Sequence, residues 1–131
     1  MRPLSVTAIA ALIALSVAAC GGKEEISVSE DSPDYAGAEL FATHCSGCHT
    51  LSAAGTQGTG NRGQRAQGPN LDQRTETYED ALFAIRNGGF SGAIMPQNIV
   101  VGDEAEQVAG FVSKYAGQQA QTTAEPGESG G

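Results

Sequence analysis

Residues 45–49 read Cys-Ser-Gly-Cys-His, and this motif constrains the 131-residue chain more than any other feature. Two thiols three positions apart can each join one of two vinyl groups on an edge of a porphyrin ring. The adjacent histidine can then bind the iron as a neutral imidazole. Because this spacing is typical of covalent haem attachment, we predict one haem joined to Cys45 and Cys48 and ligated by His49.

Three other uses of these residues remain open from the sequence. A structural zinc site needs four ligands, and only His44 and Cys20 remain to complete one. A thioredoxin-like C-x-x-C lies in a βαβ pattern, which this chain does not have. A plain disulfide between Cys45 and Cys48 would leave His49 without a role. Haem attachment accounts for more of the motif than any of these.

The first nineteen residues have the pattern of an export signal. Arg2 precedes an apolar run that is too short to cross a bilayer comfortably, and small residues end it. Residues 17–20, Val-Ala-Ala-Cys, resemble a bacterial lipoprotein processing box, in which the cysteine carries acyl chains. We therefore predict lipidation at Cys20 and a location on the outer or periplasmic face of the cell membrane. Ordinary cleavage with an incidental Cys20 thiol is the alternative.

Composition divides the mature chain into one folded part and two polar ends. We interpret residues 20–33 as a lipidated N-terminus with a flexible tether, and residues 118–131 as a disordered tail poor in apolar side chains. The remaining residues, 34–117, form a domain so small that a bound cofactor would help to stabilise it. The formal net charge of −8 argues against nucleic-acid binding and favours a basic partner.

Hydrophobic periodicity predicts three helices and no comparable strand. The glycine-rich residues 51–74 form an unusually long loop for so small a domain, which is explained if the loop wraps around a haem. The predicted helices run from Ser32 as N-cap and Pro33 into the haem motif, from a Thr77–Asp80 capping box to residues 87–89, and from about Asp103 to Ala116.

A second axial ligand has to come from a separate segment of the chain. Met95 is the only methionine outside the predicted signal, and it lies beside Pro96 in the loop before the third helix. Its thioether could therefore reach the iron from the opposite face of the ring. The alternative is that Met95 fills a gap in the core. His44 is chemically able to ligate iron, but its neighbour Cys45 holds it on the side of His49.

The order of these landmarks resembles a bacterial class I cytochrome c over about residues 34–117. The resemblance implies an all-α fold, with three main helices and long loops wrapped around one covalently bound haem c. It also implies that the Pro69 carbonyl accepts a hydrogen bond from His49. It rests on Leu40-Phe41, Cys45–His49, Gly68-Pro69-Asn70-Leu71, Met95-Pro96 and the aromatic third helix.

The resemblance further implies that the first and third helices cross near Gly37 and Gly110, with Phe41 and Phe111 close by.

Haem propionates need polar partners, and guanidinium groups pair well with carboxylates. The candidates for this role are Arg62, Arg65, Arg74 and Asn70.

Histidine–methionine ligation leaves no open position for a substrate, so we expect one-electron transfer between Fe(II) and Fe(III) rather than enzymatic activity. The resemblance implies respiratory membrane complexes as partners. A tether of residues 21–33 would reach at most about 45 Å. Two alternatives remain: a haem subunit of a dehydrogenase or reductase complex, and a peroxidase or sensor if Met95 does not ligate stably.

Overall fold

The computed structural model describes residues 25–58 and 68–118. Its elements include three α-helices, so the all-α prediction is confirmed, and the only described strands form one pair of two residues each. The helices are α1 (Tyr35–His44), α2 (Tyr78–Asn87) and α3 (Gly102–Tyr115); the strands are β1 (Thr50–Leu51) and β2 (Thr56–Gln57), joined through a 3₁₀ turn at Ser52–Ala54. Within the described residues, no helix is both long and apolar enough to cross a membrane.

Helix α3 packs against both α1 and α2 and so forms the centre of the domain. Phe41 of α1 and Phe111 of α3 are almost fully buried, and their ring centroids lie 6.0 Å apart. A Cβ atom on Gly37 would lie 2.5 Å from the Gln107 carbonyl oxygen, so the close approach of α1 requires glycine there. The predicted crossing of the two helices near Gly37 and Gly110 is therefore confirmed to within one turn of α3, although a Cβ atom on Gly110 itself would meet nothing within 4 Å. The crossing places Gln107 and Phe111, rather than Gly110, against Gly37.

Local capping sets the bounds of α2 as predicted. The Thr77 hydroxyl oxygen accepts a hydrogen bond from the Asp80 backbone N–H at 3.1 Å. At the other end, Gly88 takes a left-handed conformation with φ of 78°, which glycine adopts without steric cost.

Helix α1 begins two residues later than predicted. The Ser32 hydroxyl accepts from the Asp34 N–H at 3.2 Å and closes a turn before the helix, which then starts at Tyr35. The Asp34 carboxylate accepts hydrogen bonds from Lys114 and from the Tyr115 hydroxyl at the end of α3. The bond from Lys114 lowers the pKa of Asp34 below its usual value. These contacts fasten the start of α1 to the end of α3.

Residues before α1 pack on the domain, so the predicted flexible tether is too long. Val28 is 8% exposed and belongs to the core, and Ile26 packs against that core. The Ser27 N–H donates to the Ala53 carbonyl at 3.1 Å. Two apolar side chains at alternate positions anchor a segment whose composition is otherwise polar. Several predicted features lie outside the described residues: the signal 1–19, Cys20, Arg62, Arg65 and the tail from residue 119.

Candidate haem site

The haem motif continues the helical path of α1 by one turn. The N–H groups of Cys48 and His49 both donate to the Cys45 carbonyl, at 3.1 and 2.9 Å. Residues three and four positions apart on such a turn share one face, so the two thiols and the imidazole lie together. The two sulfur atoms are not joined to each other in a disulfide. Burial raises the pKa of the Cys45 thiol to about 12.

The described residues surround a cavity of about 770 Å³, which is large enough for a cofactor. Cys45, Cys48 and His49 line it, and so does Met95 from the loop before α3. The cavity therefore combines two thiols, an imidazole and a thioether with a largely apolar wall, which is a donor set that fits haem c. Its larger apolar side chains are Phe41, Leu71, Ile85, Phe90, Ile94, Ile99, Val108 and Val112.

His49 is held in one orientation by the segment that follows the undescribed residues 59–67. Its Nδ1 atom lies 3.1 Å from the Pro69 carbonyl oxygen, the contact that the family resemblance implied. Burial lowers the pKa of His49, against the opposing effect of this hydrogen bond. A neutral ring that donates through Nδ1 keeps the lone pair of Nε2 free for a metal.

Gly68 is in close contact with the His49 ring. A Cβ atom on Gly68 would lie 2.6 Å from Nδ1 and 2.7 Å from Nε2, so any side chain there would collide with the imidazole. The Gly68 N–H also donates to the Cys48 carbonyl at 2.8 Å, which ties this residue to the haem motif. In the sequence, Gly-Pro-Asn has the composition of a turn, and that pattern gave no sign that Gly68 itself packs against the His49 ring.

The loop that carries Met95 rests on the C-terminal end of α2. The Asn98 N–H donates to the Ile85 carbonyl at 2.8 Å, and the Gln97 side-chain amide donates to the Asn87 carbonyl at 3.3 Å. A Cβ atom on Gly88 would lie 2.7 Å from the Met95 carbonyl oxygen, so the glycine that ends α2 also admits this loop. Met95 is partly buried against the core and lines the same cavity as His49.

The chain matches known cytochromes. The model of the family described as cytochrome c oxidase, cbb3-type, subunit III matches residues 33–112. The chain belongs to this family of cytochrome c domains. Among solved structures, the c-type cytochrome SorU from Sinorhizobium meliloti is similar, with 34% identity and a TM-score of 0.52 over 65% of this chain and 92% of that chain. No curated protein sequence gives a significant match.

This cytochrome therefore has the class I type of fold and one covalently bound haem c, and cytochromes c are in general electron carriers rather than enzymes. A zinc site has no support in residues 25–58 and 68–118, where no group of three or more His, Cys, Asp or Glu side chains could hold a metal ion.

Two of the four candidate propionate partners lie in the described part of the cytochrome. Arg74 lines the cavity and pairs with Glu76 at 2.5 Å, so a propionate would have to share its guanidinium. The Asn70 side-chain oxygen accepts from the Asp72 N–H at 2.9 Å in a local turn. His44 is exposed at the end of α1, although it also lines the cavity.

Proposed function

We propose that this cytochrome is a membrane-tethered one-electron carrier whose haem is attached to Cys45 and Cys48 and ligated by His49 and Met95. The observation that carries the proposal is the meeting of His49 and Met95 in one cavity, from segments on either side of α2. The haem, when bound, supplies the one-electron couple between Fe(II) and Fe(III).

The residues of the chain would hold the haem and keep its surroundings constant. The Pro69 carbonyl fixes the orientation of the His49 ring and makes the imidazole a more basic ligand for the iron. If the Met95 thioether binds the iron together with His49, no position on the iron would be left for a substrate. The apolar side chains that line much of the cavity would limit the access of water to the haem, and so the rearrangement of solvent that accompanies a change of charge.

The exchange of Met95 tests this ligand set. Met95→His should lower the reduction potential by on the order of a few tenths of a volt, because axial ligands control the potential over that range. Met95→Ala should abolish the weak long-wavelength sulfur-to-iron band of the ferric protein and admit added ligands. Val101→Ala is the matched control, because Val101 is an apolar residue with 61% exposure that does not line the cavity. A Met95→Ala protein with an unchanged spectrum and potential would refute methionine ligation.

An exposed apolar patch beside the cavity supports docking of a redox partner. Phe83 and Phe90 stack with ring centroids 5.5 Å apart, and each is about half exposed. Ile94 is 65% exposed, and both Phe90 and Ile94 line the cavity. The exposed carboxylates of Glu79 and Asp80 lie one turn before Phe83 on α2. The partner that fits is a redox protein with an apolar docking face bordered by basic side chains.

Oxidation of the reduced cytochrome by membranes of the producing organism tests this docking face. Phe83 does not line the cavity, so Phe83→Ser should leave the potential unchanged while slowing oxidation at least about fivefold, the effect of about 1 kcal/mol in docking. Val101→Ser removes a similarly exposed apolar side chain elsewhere and should have no effect. Added salt should slow the wild-type protein, because it screens acidic groups from a basic partner. Equal rates for wild type and Phe83→Ser would refute the proposed docking face.

The packed N-terminal segment shortens the distance over which a lipid anchor at Cys20 could hold the domain. Because Ile26 already contacts the core, only the six peptide units between Cys20 and Ile26 connect a lipid anchor to the domain. They span at most about 22 Å. So short a connection favours the second candidate function, a haem subunit beside one membrane complex, over a carrier that moves between distant complexes.

Fractionation and a longer connection test this arrangement. Cys20→Ser should move the protein from the membrane to the soluble fraction. A flexible insertion after residue 22 should leave oxidation by one adjacent complex unchanged or slower, because it lowers the local concentration. Faster oxidation after insertion would instead favour the mobile carrier.

A further inference from the structure

Residues 68–72 run alongside residues 48–52 and carry both contacts to the His49 ring. The pairing begins with the Gly68 N–H donating to the Cys48 carbonyl at 2.8 Å, and it continues with the Leu71 N–H donating to the Thr50 carbonyl at 2.9 Å. A parallel bridge joins Thr50 and Asn70. The position of the Pro69 carbonyl therefore depends on the register between these two segments.

A side chain completes this pairing at its far end. The Asp72 carboxylate, only 5% exposed, accepts hydrogen bonds from the Ser52 N–H at 2.8 Å and from the Ser52 hydroxyl at 2.6 Å. Bonds to an ionised acceptor are stronger than those between neutral groups, and a buried carboxylate is costly to leave without them. The Asn70 side chain accepts from the Asp72 N–H, which fixes the turn that aims the carboxylate.

We propose that Asp72 and Ser52 are positioning residues for the axial histidine. Their paired hydrogen bonds fix the register of residues 68–72, and this register keeps the Pro69 carbonyl on Nδ1 of His49. The inference rests on the proposed function, because it assigns the pair an effect on the iron through His49. A well-placed carbonyl makes the imidazole more basic and so favours the ferric state. A weakened contact should therefore raise the reduction potential.

Ser52→Ala separates the effect of position from the effect of charge. It removes the 2.6 Å bond from the hydroxyl and retains the Asp72 carboxylate, so a change in potential cannot come from a lost negative charge. We expect a shift of about threefold or more in the electron-exchange equilibrium with a redox mediator, toward the reduced protein. For a one-electron couple this corresponds to about 28 mV. Asp72→Ala should shift the equilibrium further in the same direction, and Ser52→Thr should restore the wild-type value.

Nuclear magnetic resonance of the reduced holoprotein reports on His49 directly. Exchange of the His49 Nδ1 proton with solvent should quicken at least about tenfold in Ser52→Ala, the effect of about 1.4 kcal/mol in the opening equilibrium. Asp34→Asn is the matched control for Asp72→Ala, because it removes a hydrogen-bonded carboxylate elsewhere in the fold. Ser113→Ala is the matched control for Ser52→Ala, because it removes the hydrogen bond from a serine hydroxyl to the Gly110 carbonyl. Both controls should leave the His49 signal and the potential unchanged.

Two outcomes overturn the proposal. One is that Ser52→Ala and Asp72→Ala lose stability while the exchange rate of the His49 Nδ1 proton and the reduction potential remain those of the wild type. The other is an equal shift in the Asp34→Asn control. A failure of the proposed function would appear differently, as a wild-type protein without a histidine–methionine spectrum. If Asp72→Ala does not mature, the Ser52 variants still decide the question.

Discussion

Replacement of Gly68 by alanine tests the contact on which the histidine geometry depends. The added Cβ would lie 2.6 Å from Nδ1 and 2.7 Å from Nε2 of His49. Ordinary contacts between such atoms begin at about 3.5 Å, so the ring or the segment has to move by about 1 Å. Neither is free to move: the ring is bonded to the Pro69 carbonyl at 3.1 Å, and Gly68 donates to the Cys48 carbonyl at 2.8 Å.

The size of the effect follows from the cost of adding a methyl group where there is no space. Such overpacking typically costs about 1–3 kcal/mol. We therefore expect Gly68→Ala to lower the free energy of unfolding of the holoprotein by about 2 kcal/mol, which is a factor of about 30 in the folding equilibrium. The displaced ring should also lose part of its bond to Pro69 and its alignment toward the iron, so the potential should rise.

Denaturant unfolding, redox titration and the yield of holoprotein measure these effects. Gly47→Ala is the control within the same site, because a Cβ atom on Gly47 would meet nothing within 4 Å. It should change stability by less than about 0.5 kcal/mol. A Gly68→Ala protein with wild-type stability, potential and His49 signals would refute the close packing of Gly68 on the ring.

Three further predictions concern the fold. Gly37→Ala should lower the free energy of unfolding by about 1–3 kcal/mol, because its Cβ atom would meet the Gln107 carbonyl of α3. Gly110→Ala should raise the free energy of unfolding by up to about 1 kcal/mol, because alanine favours the helix more than glycine does and its Cβ atom has open space there. Equal effects of the two variants in denaturant unfolding would contradict the observed crossing. Asp34→Asn should lower stability at neutral pH. Because Lys114 lowers the pKa of Asp34 in the folded protein, the stability that Asp34 contributes is complete above the pKa of the unfolded chain, near 3.8, and is lost as the pH falls through the pKa of the folded protein. A difference in stability between wild type and Asp34→Asn that does not change with pH would refute this prediction. Thr77→Ala should cost about 1 kcal/mol through loss of the cap of α2, seen as a lower midpoint of unfolding, and Thr77→Ser should restore most of it.

The site was largely predictable where its residues are local or unique in the sequence. The haem motif occupies a single turn, so its spacing alone places two thiols and an imidazole on one face. Met95 was predicted as a ligand because no other methionine remains outside the predicted signal, and the structure places it in the wall of the same cavity as His49. The bounds of α2 were equally accessible, since Thr77 and Gly88 act on backbone groups within four residues of themselves.

Tertiary structure alone decided the features that join distant parts of the chain. Asp34 is bonded to residues 80 and 81 positions away, and Asp72 to a serine 20 positions away, so no local pattern shows these contacts. Val28 lies in a polar segment but becomes part of the core once the Ala53 carbonyl pairs with Ser27. Hydrophobic periodicity and capping depend on neighbouring residues, whereas the partner of a buried carboxylate or glycine depends on how distant helices and loop segments come together.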